Sequence, residues 1–591
     1  MKGGEIPVPR GPKPFPRALP HWRAGLLLSL LLLGMGGILL RDLQLQWFQT
    51  RALRAQGRMR YLQTRPLPAG RGMIYARNGD PLAVNAPAVT LWVDPRIFRQ
   101  HQSQWGRVAQ VIGMSPAELS TRVGQGGADF AYLRRQVSPS LGKAVHALGI
   151  PGLYVQPTSR TYYPLGAMTT PLLGLVHLDH QGAADLELGY NQWLAGRQGR
   201  ERVLVDGQGQ VLRVLQEAEH PHPGHNLHLT IDPQIQYWAY MTLLAAQQHF
   251  GAKVGSAVVM NVHTGQILAM VSVPSCNPNG RGSCGDPLDY ANNAVHQAFE
   301  PGSVMKPFMV AAALTTHSIQ PDQSFNVSHC LPVGGFCIRD DVVHHELNVA
   351  HILKYSSDIG AAKIALRTPR EAIYAMYRAA GFGRPPGLGF VGETGGVLPD
   401  WHGWGRARHA TIALGYGVSV TTLQLAEGYA AIANGGYHVR PTLLLGQPVQ
   451  RRRIMPAGVA NRLRRWLEGV CAPNGTGILA AIPGYRVAGK TGTANMANGK
   501  DGFLHNETNA TFVGFAPGFA PDLVMAVSLR ASKRYWNFGG VESAPVFRVT
   551  MRHALEEMNI APRWCGHRAC VSQARNITAT QAEIWAEGGG Q

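Results

Sequence analysis

None of the seven cysteines in this 591-residue chain stands in a CxxC pair, so zinc-site and dithiol-redox readings lack their pattern. The one approach to a metalloprotease motif, His345-Glu346, has Val349 where HExxH requires its second histidine, and no metal is expected. Acidic residues are scarce, 35 against 55 Lys and Arg, which leaves a formal charge of +20. The positive charges are mostly scattered arginines without a nucleic-acid-binding motif, so nucleic acid is set aside as a partner; acidic lipid head groups or an anionic polymer stay compatible with the charge. No internal repeat is visible. With 45% hydrophobic and 15% charged residues the chain is globular, and it is too long for one core.

Long apolar runs are equally scarce, with a single exception. AGLLLSLLLLGMGGILL, Ala24 to Leu40, is 17 residues without a charge, just long enough to cross a bilayer. Arg41 and Asp42 follow at once and no small-x-small cleavage site is evident, which favours an uncleaved anchor over a signal peptide. Gly34, Gly36 and Gly37 would let another helix approach closely, or merely loosen this one. Basic residues flank both ends, so the positive-inside rule does not orient the span. Cys276 with Cys284, Cys330 with Cys337 and Cys565 with Cys570 are close in sequence and suit short disulfide loops in an oxidising compartment, with free buried thiols as the alternative. Cys471 is left over.

The pattern divides the chain into a Pro-rich basic tail (1–23), the anchor (24–40), a membrane-proximal domain (41–216), a linker at EAEHPHPGHN (217–226), a large domain (227–560) and a polar tail (561–591). Arg41 to Leu62 is helix-compatible, and RGMIYARNGDPLAVN places apolar runs on either side of an Asn78-Gly79 turn. GSAVVMNV and QILAMVSV predict an antiparallel hairpin. Helical patterns then run from about 303 to 468, strands return in YRVAGKTGTA, ATFVGFAP and LVMAVSLRA, and a helix follows in APVFRVTMRHALEEM. Strands at both ends of a helical block imply an α+β fold: an antiparallel sheet from distant segments, packed helices and a helical lobe.

Three places carry chemistry. In FEPGSVMKPF, Ser303 precedes Lys306 by three residues at a helix start, where the lysine reaches the hydroxyl. Serine needs such a base, and lysine serves as one only when burial or positive charge lowers its pKa. The competing account is a helix cap and a solvated charge; Ser140-Leu141-Gly142-Lys143 fits the same pattern, and about one or two chance matches are expected in such a chain. In KYSSDIGAAKIA, Ser356 and Asp358 precede a helical pattern, again open to a capping account. In VAGKTGTA a strand carries Lys490-Thr491-Gly492-Thr493, whose glycine admits close approach and whose lysine and hydroxyls can hold a carboxylate.

Together and in this order the three resemble the SxxK, SxN and KTG set of penicillin-binding proteins and serine β-lactamases. RGMIYARNGDPLAVN, SRTYYPLG, GYGVSVTTLQLAEGYAAIANGG, FVGFAP and GGVESAPVF are similar to segments of the division-specific, class B transpeptidases, and nothing is similar to a class A glycosyltransferase domain. The resemblance implies a penicillin-binding transpeptidase domain after an anchor and a mixed α/β pedestal domain. It implies a single-pass inner-membrane protein with a cytoplasmic tail and a periplasmic D,D-transpeptidase acting on peptidoglycan stem peptides at the septum. It further implies inhibition by β-lactams, no cofactor, and partnership with a membrane-embedded glycan polymerase and other division proteins. By it Ser303 is the nucleophile, Lys306 its base and Ser356 a proton relay. Lys490, Thr491, Gly492 and Thr493 bind substrate, and the backbone N–H groups of Ser303 and Thr493 form the oxyanion hole. Asp358 departs from the Asn usual in division enzymes; Asp is familiar in elongation-specific relatives, whose role is the alternative, as is a non-catalytic scaffold.

Overall fold

A segment that crosses lipid must satisfy its own backbone polar groups, and a helix does so. The computed structural model describes residues 21–51, 57, 61–67, 69–205, 211–280, 284–497, 503–532 and 538–562. Its first helix, α1, spans His21–Leu43 and runs into a π-helical turn at Gln44–Phe48. Gly25–Trp47 is long and apolar enough to cross a membrane and is not buried. The helical character expected as far as Leu62 stops short of it, since Leu62 opens a strand.

The chain divides into two compact units, Met1–Ala69 with Arg197–His222, and Gly70–Gly196 with Pro223–Gln591. In the first, Gly199–Val205 pairs antiparallel with both Leu62–Leu67 and Val211–Glu219. That last strand reaches Glu219, and Arg197 and His222 exchange backbone hydrogen bonds at 2.8 and 2.9 Å. The start of the His- and Pro-rich segment expected as a linker is therefore strand, because sheet pairing satisfies its backbone whatever its side chains.

In the second unit Pro81–Val93 pairs with Ala131–Val137, Leu153–Tyr162 and Ile74–Tyr75, and the Asn78-Gly79 turn falls where predicted, with Gly79 at φ +89°. Leu91, Phe98, Val108, Leu119 and Leu133 form its local core. The larger sheet has five antiparallel strands: β1 (Val254–Asn261), β2 (Ile267–Val273), β3 (Ala488–Ala497), β4 (Phe503–Ala516) and β5 (Leu523–Ser532), in the order β2-β1-β5-β4-β3. The β1–β2 hairpin is the one read from sequence; the centre of the sheet, β1 against β5, joins segments about 270 residues apart (Leu523 opposite Asn261, 523 − 261 = 262; Arg530 opposite Val254, 530 − 254 = 276).

Alternation sends Val258 and Met260 to one face, with Phe308 and Leu423, and Ala257 and Val259 to the other, with Leu243 and Phe547. Helices α2 (Pro233–Phe250) and a C-terminal helix (Gly539–Glu557) cover the second face. Both faces are thus dry, which is why β1 and β2 read as unbroken apolar runs. Each large side chain so buried contributes roughly 1.5–3 kcal/mol. Helix α3 (Lys306–Thr315) lies inside the first core, buried from Lys306 to Leu314, as its all-round apolar sequence demands. The region 303–468 carries helices as its main regular structure, as expected, separated by irregular connections and three short two-stranded additions at 324–326/346–348, 331–333/336–338 and 437–439/451–453.

Cys276 is bonded to Cys284 and Cys330 to Cys337, while Cys471 is a buried free thiol. The Cys565–Cys570 pairing lies outside the described residues.

Candidate active site

Ser303 sits in a 3-10 turn, Gly302–Met305, and Lys306 is the first residue of α3. In 3-10 geometry residues i and i+3 eclipse, which stacks the two side chains on one side of the turn. No side-chain cap is made at either junction, so the capping account of Ser303 fails. The solvated-charge account of Lys306 fails too, since the lysine is 0% exposed.

The Lys306 ammonium donates to Ser356 O at 2.5 Å, Ser356 Oγ at 3.2 Å and Asp358 Oδ1 at 2.6 Å. Those are as many acceptors as an ammonium has protons, one of them the part-exposed carboxylate of Asp358, with which the buried lysine pairs. Ser356 is presented by a left-handed backbone, φ +60°, a conformation that costs a non-glycine residue about 1 kcal/mol or more and is found where function fixes a side chain. Capping of the next helix, α4 (Asp358–Arg367), falls to Ser357, whose Oγ accepts from Gly360 N at 2.9 Å. Ser356 is left for other work.

Lys490 comes from β3, the edge strand, and is also 0% exposed. Its Nζ donates to Ser356 Oγ at 2.8 Å and to Thr491 O at 3.0 Å. Burial, and after it the neighbouring Lys306 charge, hold Lys490 well below the usual lysine range, with Asp358 pulling the other way. Ser356 Oγ thus bridges two buried lysines, one of which, Lys490, has its pKa lowered.

Close backbone approach brings the serine turn to β3. A Cβ on Gly492 would lie 2.5 Å from Pro301 O, and one on Gly302, at φ +63°, would lie 2.7 Å from Thr493 O. Glycine is required at both. The Thr491 and Thr476 hydroxyls are 2.9 Å apart, and Thr493 Oγ1 accepts from Gly539 N at 3.3 Å. All eight residues singled out from sequence, Ser303, Lys306, Ser356, Asp358, Lys490, Thr491, Gly492 and Thr493, meet at this junction.

Sequence reasoning missed the supporting residues. Asp340 accepts from Ser357 Oγ at 2.5 Å and Ile359 N at 2.9 Å, fixing the turn that presents Ser356. Asp341 has its carboxyl pushed up by burial and by Asp358. Tyr416 has its phenol pushed up to about 12 by burial, and then by Asp358 and Glu300. The only sequence signal for the two aspartates was their position just beyond Cys337; Tyr416 offered none.

A serine and lysine stacked on one turn, a second serine bridging two buried lysines, and a threonine-bearing edge strand define a serine acyltransferase. The sequence model of the penicillin binding protein transpeptidase domain matches residues 255–552, and that of the penicillin-binding protein dimerisation domain matches 66–229. The chain is 36% identical over 546 residues to the probable peptidoglycan D,D-transpeptidase PbpC of Pseudomonas aeruginosa, covering 92% of this chain and 96% of that one. To the peptidoglycan D,D-transpeptidase FtsI of Escherichia coli it is 35% identical over 552 residues, 92% of each. The transpeptidase domain of Burkholderia pseudomallei penicillin-binding protein 3 superposes with a TM-score of 0.52 at 38% identity, covering 57% of this chain and 98% of that domain. This chain belongs to the class B penicillin-binding proteins, the D,D-transpeptidase enzymes of FtsI type.

Proposed function

We propose that this transpeptidase cross-links peptidoglycan stem peptides at the division septum through an acyl-enzyme on Ser303, anchored by α1 with its catalytic domain, residues 227–560, in the periplasm. The observation that carries the chemistry is the Ser356 hydroxyl held at 2.8 Å from Lys490 and 3.2 Å from Lys306.

Lys306 must be neutral to take the Ser303 proton, and Ser356 offers the route: its hydroxyl joins Lys306 to Lys490, and the negative carboxylate of a substrate held by Lys490 raises that lysine's otherwise depressed pKa so that it can take the proton. Ser303 Oγ then attacks the carbonyl between the two terminal D-alanines as Lys306 takes its proton. The backbone N–H groups of Ser303 and Thr493 stabilise the oxyanion, and Ser356 returns a proton to the departing D-alanine nitrogen. Lys490, Thr491 and Thr493 hold the terminal carboxylate, with Gly492 keeping the strand against the serine turn. An amine of a second stem peptide resolves the ester. β-Lactams, as cyclic acyl donors, acylate the same serine without a rapid second step. The septal assignment rests on the FtsI-type relatives, and the partners it entails are a membrane-embedded glycan polymerase and other division proteins. Asp358 favours the elongation-specific alternative by its resemblance alone.

Incubation of the chain with a labelled penicillin, followed by peptide mass spectrometry, tests this reading. A stable adduct on Ser303, absent from Ser303→Ala, is expected; folded protein with no adduct would leave only a scaffold.

A further inference from the structure

A cavity of about 390 Å³, sharing no residue with the Ser303 site, is lined among others by Gly381, Arg384, Glu427, His438, Arg440 and Arg452. Its wall is the hairpin of Tyr437–Val439 and Arg451–Arg453, in which His438 lies opposite Arg452, with Arg440 N bonded to Gln450 O. Period-two alternation puts His438, Arg440 and Arg452 on one face of this hairpin. Arg453 is turned to the other, its guanidinium 4.1 Å from the centre of the Tyr437 ring.

Four arginines line the cavity; Arg451 lies against the Tyr437 ring at 5.2 Å, and the other three are each held by a backbone carbonyl: Arg384 by Arg378 O at 2.7 Å, Arg440 by Gly387 O at 3.3 Å, Arg452 by Ala379 O at 3.3 Å. A guanidinium has five N–H donors, so one such bond orients it and leaves the rest for a ligand. Among the described residues none of the three makes an ion pair. The one carboxylate in the lining, Glu427, is 4% exposed and engaged by His438 at 2.6 Å.

We propose that this cavity binds a phosphate-class anion, gripped by Arg384, Arg440 and Arg452. Guanidinium forks match phosphate oxygens bidentately, and three forks exceed what the two oxygens of a single carboxylate accept. A free diphosphate and the phosphate ester of a lipid head group share this chemistry.

The test uses the full-length chain in detergent, titrated calorimetrically with inorganic pyrophosphate, glycerol 1-phosphate and succinate. Pyrophosphate should bind saturably at one site. Arg440→Gln and Arg452→Gln should each weaken it at least tenfold, while Arg453→Gln changes it less than twofold; a melting curve checks that each variant folds, with Arg384→Gln replacing one that does not. Competition by glycerol 1-phosphate would support a head-group ester as the source, and its failure a free diphosphate. Absence of saturable binding, equal weakening by Arg453→Gln, or succinate binding as tightly as pyrophosphate would each overturn the proposal.

Discussion

The pattern Ser-x-x-Lys occurs at Ser140 to Lys143 and again at Ser303 to Lys306, and the two stretches make opposite use of it. At the first, Ser138 caps the helix Pro139–His146 by accepting from Leu141 N at 3.3 Å, Ser140 Oγ rests 2.9 Å from Ser138 Oγ, and Lys143 is an exposed charge in the last turn, where it complements the helix dipole. At the second, nothing caps the turn and the lysine is sealed beneath it, bound to Ser356 and Asp358. Four letters therefore carry no chemistry until burial removes water from the amine. Once buried, the lysine must be paired or neutral, and both conditions couple it to groups elsewhere in the chain.

The sharpest way to break the comparison is to delete both lysines. Lys306→Ala should slow penicillin acylation of Ser303 by about 10²–10⁴-fold, the range for loss of a general base, whereas Lys143→Ala should leave the rate within twofold; stopped-flow acylation of the two variants decides it. Next in size is Gly492→Ala. Its new Cβ would meet Pro301 O at 2.5 Å, so β3 and the serine turn must separate, and a displacement of that order costs about 10²-fold in acylation, measured beside a melting curve to show that the domain still folds.

Asp358→Asn is a finer cut. Removing the carboxylate weakens the hold on the Lys306 ammonium while keeping a hydrogen-bonding side chain, and acylation should stay within about tenfold of the parent, a change of about 1.4 kcal/mol in the barrier. A much larger loss would give the carboxylate a chemical role of its own.

The smallest effect concerns a buried carboxyl without a close ion-pair partner among the described residues. Asp185, 5% exposed, has Oδ1 without a hydrogen bond among the described residues, and His296 Nδ1 lies 3.8 Å from it. Burial pushes its carboxyl up to about 8. A folded pKa above the unfolded value means that the folded state holds the extra proton. Asp185 therefore favours folding fully below about pH 4, and this contribution is lost as pH rises toward 8. His296, whose pKa burial lowers, acts in the opposite sense below its ordinary range. Asp185→Asn should thus flatten the fall in melting temperature between about pH 6.5 and 8; an unchanged slope would mean that the carboxyl ionises without cost.

Much of the fold was legible because local signals agreed with it. The apolar run of α1, the β1–β2 hairpin, the turn at Asn78-Gly79 and the all-apolar α3 each obey a short-range rule. The misreadings share a cause: Glu217–Glu219 looked like linker because strand pairing with Gly199–Val205 is invisible in their side chains. In the site, residue types were legible at every motif position, but support was not. Asp340 and the Ser356–Asp358 turn meet across a segment that carries the strand Glu346–Asn348 and the helix Val349–Lys354, and no spacing announces such a meeting.

By itself the sequence determined the reagents: a serine with a lysine three residues on, a second serine, a lysine and threonines on a strand, and glycines without side chains at 302 and 492. Only the tertiary structure decided which Ser-x-x-Lys is dry, which of two adjacent serines caps a helix and which bridges two buried lysines, and that Lys490 gives up its proton more easily than a solvated amine. The reason is physical. Hydroxyls and amines are fixed by the covalent chain, but the pKa of an amine is set by the water it has lost and the charges it has met, and Lys490 meets the Lys306 charge across 184 residues of chain (490 − 306 = 184).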